Sequence, residues 1–156
     1  MRIIGIDPGT GILGFGVIDA SRGKYTLVDA GVITTPAHTP IDERLEDIFD
    51  NLTEIIAATK PDVMSIEQLF FARNVTTAIS VAQARGVAML TGRKARLPIA
   101  EYTPMQIKQT ITGYGKADKK QVQEMVRIQL GLTEVPKPDD CADALGAAIT
   151  HALMSR

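Results

Sequence analysis

The stretch that decides the fold is Arg2-Ile3-Ile4-Gly5-Ile6-Asp7-Pro8-Gly9-Thr10-Gly11, at the head of the chain. Ile3, Ile4 and Ile6 make a short apolar run, the pattern of a strand buried in a sheet. The run stops at Asp7, where proline fixes φ and glycine admits the left-handed region, so a turn follows. Asp7 thus stands at the carboxyl end of a buried strand, directly before a glycine turn. An aspartate there can hold the turn through an Asx hydrogen bond. It can equally serve a ligand, because ligands of open α/β sheets collect beyond the carboxyl ends of the strands.

Working outward, Gly14 to Ala20 and Lys24 to Thr34 are β-rich runs joined by the turn-like Ser21-Arg22-Gly23, which predicts an antiparallel meander of three strands. The period then changes. Thr39 is placed to cap a helix, Pro40 to take its first position, and Asp42 and Glu43 its first turn, where the helix dipole favours acids. Leu45, Ile48, Leu52, Ile55 and Ile56 recur at helical spacing up to Pro61. Asp62 to Gln68 is a fourth strand. Asn74 can cap a helix running to about Gly92, with Ala78, Ala82, Gly86 and Ala88 on its faces. Those small residues suit close packing, against the sheet or across a two-fold axis.

Leu97 to Tyr102 is a fifth strand. Thr103-Pro104-Met105-Gln106 carries a capping box that starts a short helix ending at Gly113. Asp118 opens another helix ending at Gly131, and Pro138-Asp139 opens the last, through about Met154. Between them Gly113-Tyr114-Gly115-Lys116 has the composition of a mobile segment. Three antiparallel strands followed by alternating helices and strands imply an α/β fold, a mixed five-stranded sheet with helices packed on it. With 156 residues, 45% of them hydrophobic, the chain is expected to form one well-cored domain spanning 1–156.

One cysteine makes no internal disulfide, and no apolar run approaches a membrane span, so a cytoplasmic location is expected. The net charge of −1 hides an uneven distribution. Met1 to Ala84 carries −5, Arg85 to Arg127 carries +6, and the remainder carries −2. The basic middle is either a solvated helical face or a phosphate-binding surface.

Four acids stand out by position. Asp7 ends strand one. Glu67 lies near the end of strand four, after Val63, Met64 and Ile66, and a carboxylate in such a run is costly unless paired or coordinated. If the helix between them makes a right-handed crossover, strands one and four are parallel neighbours and both acids emerge at one sheet edge. Asp140 and Asp143, three apart on the last helix, share a face at roughly 5–6 Å between Cβ atoms. Gly146, Ala147 and Thr150 fall on their side, with Leu145, Ile149 and Ala152 opposite. Oxygen ligands from separate elements, with no His/Cys cluster, suit Mg²⁺ or Mn²⁺ rather than zinc. Two such ions about 3.5–4 Å apart can stabilise both oxygens of an in-line phosphodiester displacement.

In order along the chain stand Ile4-Gly5-Ile6-Asp7-Pro8-Gly9-Thr10, Ile66-Glu67-Gln68-Leu69-Phe70, Ala84-Arg85-Gly86-Val87-Ala88, Gln106-Ile107-Lys108-Gln109-Thr110, Lys119-Lys120-Gln121-Val122-Gln123 and Asp140-Cys141-Ala142-Asp143-Ala144-Leu145. Together they resemble the RuvC family of Holliday-junction resolvases over nearly the whole chain. The resemblance implies a ribonuclease-H-like fold with helices on both faces of the sheet. It implies a homodimer that nicks a four-way DNA junction in paired, symmetric fashion, in recombination and repair, with branch-migration proteins of the RuvA/RuvB type as partners. It implies that Asp7, Glu67, Asp140 and Asp143 bind Mg²⁺, two ions per subunit, with Mn²⁺ as a substitute. Asp139 stands beside Asp140 as an alternative ligand.

Lys119 joins the acids as a catalytic candidate. Phe70, Arg73, Lys108, Lys119 and Lys120 are the candidates for DNA contact. Lys119 falls in the first turn of its helix, within reach of a phosphate, whereas Lys120 and Arg127 share a face that solvent alone can explain. An exposed Phe70 or Phe71 can stack on an unpaired base, although core packing is the commoner role of a phenylalanine. Cys141 reads as a small buried hydrophobe, and His38 and His151 as incidental. An actin-like or sugar-kinase-like ATPase half also opens on such a turn, but needs a duplicated half that 156 residues without a repeat do not supply. Another small ribonuclease-H-like nuclease and a non-catalytic junction-binding scaffold are the remaining alternatives. The two lysine motifs speak against the first, and the four acids against the second.

Overall fold

The computed structural model describes residues 1–68 and 75–156. Its elements are β1 (Arg2–Asp7), β2 (Ile12–Ser21), β3 (Lys24–Thr34), α1 (Ile41–Thr59), β4 (Val63–Glu67), α2 (Val75–Lys94), β5 (Ile99–Tyr102), α3 (Pro104–Thr112), α4 (Lys119–Leu130) and α5 (Asp139–Met154). The sheet order is β3-β2-β1-β4-β5. β1, β2 and β3 form the antiparallel meander, and β4 and β5 add in parallel beside β1. The mixed five-stranded sheet predicted above is therefore present, with its parallel part where the chain alternates helix and strand.

Strand alternation sorts the side chains into two cores. On one face Ile3, Ile18 and Val63 meet Ile107 of α3, Val126 of α4, and Leu145 and Ile149 of α5. On the other, Ile4, Ile6, Val17 and Met64 meet Ile48 and Leu52 of α1 and Ala84 and Ala88 of α2. Helices thus cover both faces, which explains why β1 reads as an apolar run rather than an alternating one.

The caps show which local signals decide. Thr103 and Gln106 exchange both hydrogen bonds of a capping box, and Gly113 closes α3 in the left-handed conformation. Asp118 and Gln121 form a second box, and Gly131 ends α4 in the same way. At α1 the expectation is off by one residue. Pro40 itself is the N-cap, with no side-chain cap bond, and its carbonyl accepts the first helical bond from Arg44 N–H at 3.0 Å. Gly113 to Lys116 forms a bonded turn, with Gln109 donating to the Gly113 carbonyl at 3.0 Å. Asn74, the expected cap of α2, lies outside the described residues, as do Phe70, Phe71 and Arg73.

α5 is buried nearly all round. Leu145 and Ile149 are buried as expected, but so are Gly146, Ala147 and Thr150 on the opposite side. The helix is sandwiched between the sheet and the pair α3 and α4. Small residues make this possible. A Cβ on Gly5 would stand 1.9 Å from the Ala144 carbonyl oxygen, and one on Gly14 would stand 2.2 Å from that of Asp140. Backbone therefore meets backbone where α5 crosses β1 and β2. Among the described residues no helix is long and apolar enough to cross a membrane.

Candidate active site

The alternation that buries Ile3 under α5 also aims Asp7 at α5, since residues i and i+4 of a strand share a face. On β4, Ser65 donates to the Ala147 carbonyl of α5 at 2.7 Å, so Glu67, two residues on, faces α5 as well. Ile6 is in register with Ile66 across the parallel pair. Asp7 and Glu67 are hence the next residues out on adjacent strands, separated by roughly one strand spacing of 4.7–4.9 Å. The first turn of α5 lies over them, held down by its approach to Gly14, the partner of Asp7 in the β1–β2 ladder. Three elements of secondary structure, β1, β4 and α5, thus bring Asp7, Glu67, Asp140 and Asp143 to one end of the sheet.

Their electrostatics report the crowding. Burial, then the charges of Asp143, Glu67 and Asp140, push the Asp7 carboxyl up to about 8, and a hydrogen-bonding approach by Asp140 adds to the effect. Burial and then Asp143 raise Glu67, opposed by Lys108 and Lys119. Asp143 is raised chiefly by burial, against the pull of Lys119.

Among the described residues no three His, Cys, Asp or Glu side chains converge closely enough to hold an ion as they stand. The two observations agree, because charge repulsion acts over longer distances than a coordination bond, so carboxylates can repel one another without three of them standing at ligand distance from one point. The donor set nevertheless fits a hard divalent cation. It is all carboxylate oxygen, it is half-buried, and its mutual repulsion is what a cation neutralises.

Lys119 supplies the local positive charge. Its Nζ lies 3.4 Å from Asp143 Oδ2 and 3.6 Å from Asp139 Oδ2. Burial opposes the charged amine, but the two aspartates outweigh it and raise its pKa. Asp139 therefore faces outward to the lysine, while Asp140 is the neighbour that turns to Asp7. That division separates the two residues the sequence left as alternatives. Lys108 of α3 joins Glu67, Lys119 and Asp143 around a cleft of about 290 Å³ floored by Ile107 and Val122. On the other side of Glu67, Asp7 and Arg85 line a second hollow of about 220 Å³.

Not every candidate gathers here. Lys120 points into a separate depression with Tyr114, Glu124 and Met125. Arg127 pairs with Glu124 and donates to the Leu132 carbonyl at 3.0 Å, a bond that ties down the end of α4. Cys141 is buried as expected. His151 is not idle, since its Nδ1 is hydrogen-bonded to the Tyr102 hydroxyl at 2.7 Å. The sequence reading also assigned no part to Arg85, which reaches the end of β4; its only signal was its place in the Ala84–Ala88 motif.

The match to known proteins extends over the same elements. The family model for crossover junction endodeoxyribonuclease RuvC matches residues 3–151. The crossover junction endodeoxyribonuclease RuvC of Fusobacterium nucleatum is 54% identical over 151 residues, covering 97% of this chain and 80% of that protein. Its counterpart from Brevibacillus brevis is 55% identical over 152 residues, covering 97% and 92%. The structure of Thermus thermophilus RuvC in complex with a Holliday junction superposes with a TM-score of 0.95 at 38% identity, covering 100% of this chain and 95% of that one. A family match over nearly every residue, on a sheet with the same architecture, places this chain in the RuvC family of crossover junction endodeoxyribonucleases.

Proposed function

We propose that this chain resolves four-way DNA junctions by paired, symmetric phosphodiester hydrolysis, and that residues 1–156 act as one ribonuclease-H-like nuclease domain. The observation that carries the reading is the carboxylate cluster at the sheet edge, flanked by Lys119 and Lys108. It stands in a chain whose relatives are crossover junction endodeoxyribonucleases. Asp7, Glu67, Asp140 and Asp143 would hold Mg²⁺, two ions per subunit, with Mn²⁺ as a substitute. Bound there, the ions would polarise the scissile phosphate and stabilise the attacking and leaving oxygens. Lys119 and Lys108 position the phosphate and offset the negative charge gathered around it. Phe70, Arg73 and Lys120 are the further DNA contacts in this reading.

The partner of this domain is a second copy of itself, because a substrate with two-fold symmetry calls for two nicks related by the same axis. α2 supports this. Its Ala78, Ala84 and Ala88 are buried toward the rest of the domain, while Ile79 and Leu90 are 56% and 54% exposed. Gly86 lies between them, and a Cβ there would meet nothing within 4 Å. Action on chromosomal junctions places the protein in the cytoplasm, with branch-migration proteins of the RuvA/RuvB type as neighbours on the same DNA.

The deciding experiment incubates a synthetic four-way junction and a matched linear duplex with protein in Mg²⁺, Mn²⁺ or Ca²⁺. Symmetric nicking of the junction in the first two, but not in Ca²⁺ with its longer bonds and looser geometry, is expected. Equal turnover in Ca²⁺, or equal cutting of the duplex, overturns the reading.

A further inference from the structure

We infer that Arg85 is a positioning residue for Glu67: its guanidinium ties the open ends of β4 and β5 together and so fixes the direction in which the Glu67 carboxylate enters the site. The inference rests on the reading of Glu67 as a metal ligand.

β4 runs out at Glu67, one residue beyond the last register pair with β1, Ile6 with Ile66. On the other side it is held by the pairing of Glu67 with Tyr102 and by Gln68 N–H donating to the Tyr102 carbonyl at 2.8 Å. Among the described residues this strand end has ladder support on one side only, and a twist there would swing the carboxylate. Arg85 reaches this point from α2. Its Nε donates to the Glu67 carbonyl oxygen at 3.1 Å, and Nη2 is bonded to Glu101 Oε1 of β5. Nη1 lies 3.2 Å from Met89 Sδ, one turn along the same helix.

A guanidinium is planar and its donors form a rigid fork, so it can hold two acceptors on two strands at a fixed separation, which a lysine cannot. The Arg85 side chain is only 16% exposed. That depth is costly for a charge unless its partners are well placed.

Arg85 cannot act as a direct partner of the Glu67 carboxylate. α2 packs on the sheet face that carries Ile4, Ile6 and Met64, whereas Glu67 faces α5. The charges that act on the Glu67 carboxylate are those of Asp143, Lys108 and Lys119. Arg85 therefore works through the backbone, bonded to the main-chain oxygen of the residue whose side chain serves the reaction. A plain helix-to-sheet bolt would also bury an arginine, but it has no reason to choose that carbonyl. The two roles differ in what their loss should do. Removing a bolt lowers stability, while removing a positioning contact weakens metal capture in a chain that is still folded.

The test uses Arg85→Lys, which keeps the charge but replaces the rigid fork by a single flexible ammonium that does not hold Glu101 and the Glu67 carbonyl at a fixed separation. Mn²⁺ binding is measured by calorimetry on the protein without DNA, alongside metal-free melting temperature, junction affinity in Ca²⁺, and single-turnover cleavage as a function of Mg²⁺. Mn²⁺ affinity should fall about 10-fold or more, as when an outer partner of a metal ligand is lost. The Mg²⁺ needed for half-maximal cleavage should rise in step, and excess Mg²⁺ should restore the rate. Junction affinity should stay at the parental level. Parental metal affinity in a folded Arg85→Lys overturns the proposal, as does a loss of stability with no change in metal requirement. If Arg85→Lys does not fold, Glu101→Ala decides, since it removes the acceptor at the far end of the fork. A parental metal requirement there also overturns the proposal. Glu67→Gln is run in parallel: if it too retains parental Mn²⁺ affinity and cleavage, the reading of the site fails, and with it the premise about Arg85.

Discussion

Lys119 Nζ stands 3.4 Å from Asp143 Oδ2, joining the first turn of α4 to the second turn of α5. The pair is made by helix packing, since α4 brings the lysine over α5 through Val122 and Val126, and α5 lies beneath with Leu145 and Ile149 buried. It gives the acidic cluster a cation belonging to the chain itself. Lys119 remains 56% exposed, so the same ammonium can also meet a phosphate entering from solvent.

Replacing Lys119 by alanine should therefore have two effects. Cleavage should fall by about 10- to 100-fold, the range for losing an outer partner of a site ligand. Junction binding should become less salt-dependent, the log–log slope shrinking by about one for a lost phosphate contact. Single-turnover cleavage and a salt titration of binding read the two. A variant with parental rate and parental slope makes Lys119 merely a solvated lysine.

The raised Asp7 carboxyl predicts how the metal-free fold responds to pH. In the unfolded chain this group titrates near 3.8, and in the folded chain near 8. Between those values the native state binds the proton and the unfolded state does not, so the contribution is whole below the lower value and is lost as pH rises through about 8. Glu67 and Asp143 are shifted in the same direction. His151, lowered by burial, acts the other way under more acidic conditions, so the clean window lies above its ordinary value of 6.5. The melting temperature without divalent metal should fall from pH 6.5 to 9, and saturating Mg²⁺ should flatten the fall. A metal-free melting temperature that rises across that window contradicts the clustering of the four acids.

The strands and most helix ends were legible in the sequence because their signals are local. Ile3, Ile4 and Ile6 declare a buried strand wherever they sit, and Thr103 with Gln106 makes its capping box from four consecutive residues. Asp7, Glu67, Asp140 and Asp143 were legible as acids in costly or paired positions. What escaped depended on packing between distant segments. α5 is buried nearly all round because Gly5 and Gly14 admit its backbone, and small residues on a helix give little periodic signal. The Lys119–Asp139 and Lys119–Asp143 pairs, the Tyr102–His151 bond and the reach of Arg85 to Glu67 each join elements whose relative placement no spacing rule fixes.

Gly14 offers a test of how tightly the site is built. A methyl group there would stand 2.2 Å from the Asp140 carbonyl oxygen and 2.9 Å from Asp140 Cβ. The first turn of α5 must then shift away from β2 and from Asp7. Gly14→Ala should cost about 1–3 kcal/mol of stability, the usual range for overpacking. Cleavage by the folded fraction should fall too, because the shift moves Asp140 itself. Unchanged cleavage in a destabilised but folded protein means Asp140 is not needed where it stands.

Leu90→Arg tests the two-fold partner proposed for α2. Leu90 is 54% exposed in the isolated chain, so the substitution should leave the monomer fold nearly as stable as before, within about 0.5 kcal/mol. If a second copy covers this face, the variant should sediment as a monomer while the parent sediments as a dimer. It should also lose symmetric double nicking in favour of single nicks. A parent that is monomeric, alone and on the junction, ends the homodimer reading.

Glu67→Gln bears most directly on the chemistry. The substitution keeps the shape and hydrogen-bonding capacity of the side chain and removes one negative charge from the cluster. Asp7 is held up partly by that charge, so its carboxyl should ionise more readily in the variant. The metal-free fold should then be at least as stable as the parent, because like charges in a buried cleft destabilise it and one is gone. Junction affinity should be unchanged or higher, since a repulsive charge near the phosphates has been removed. Cleavage should nevertheless collapse, because the carboxylate set no longer holds cations at the scissile phosphate. A purely structural Glu67 predicts the reverse pattern, with stability lost and cutting retained by whatever remains folded. Melting temperature, junction affinity and single-turnover cleavage on one preparation separate the two. A stable Glu67→Gln that still cuts at the parental rate removes Glu67 from the chemistry, whatever its place in the cluster.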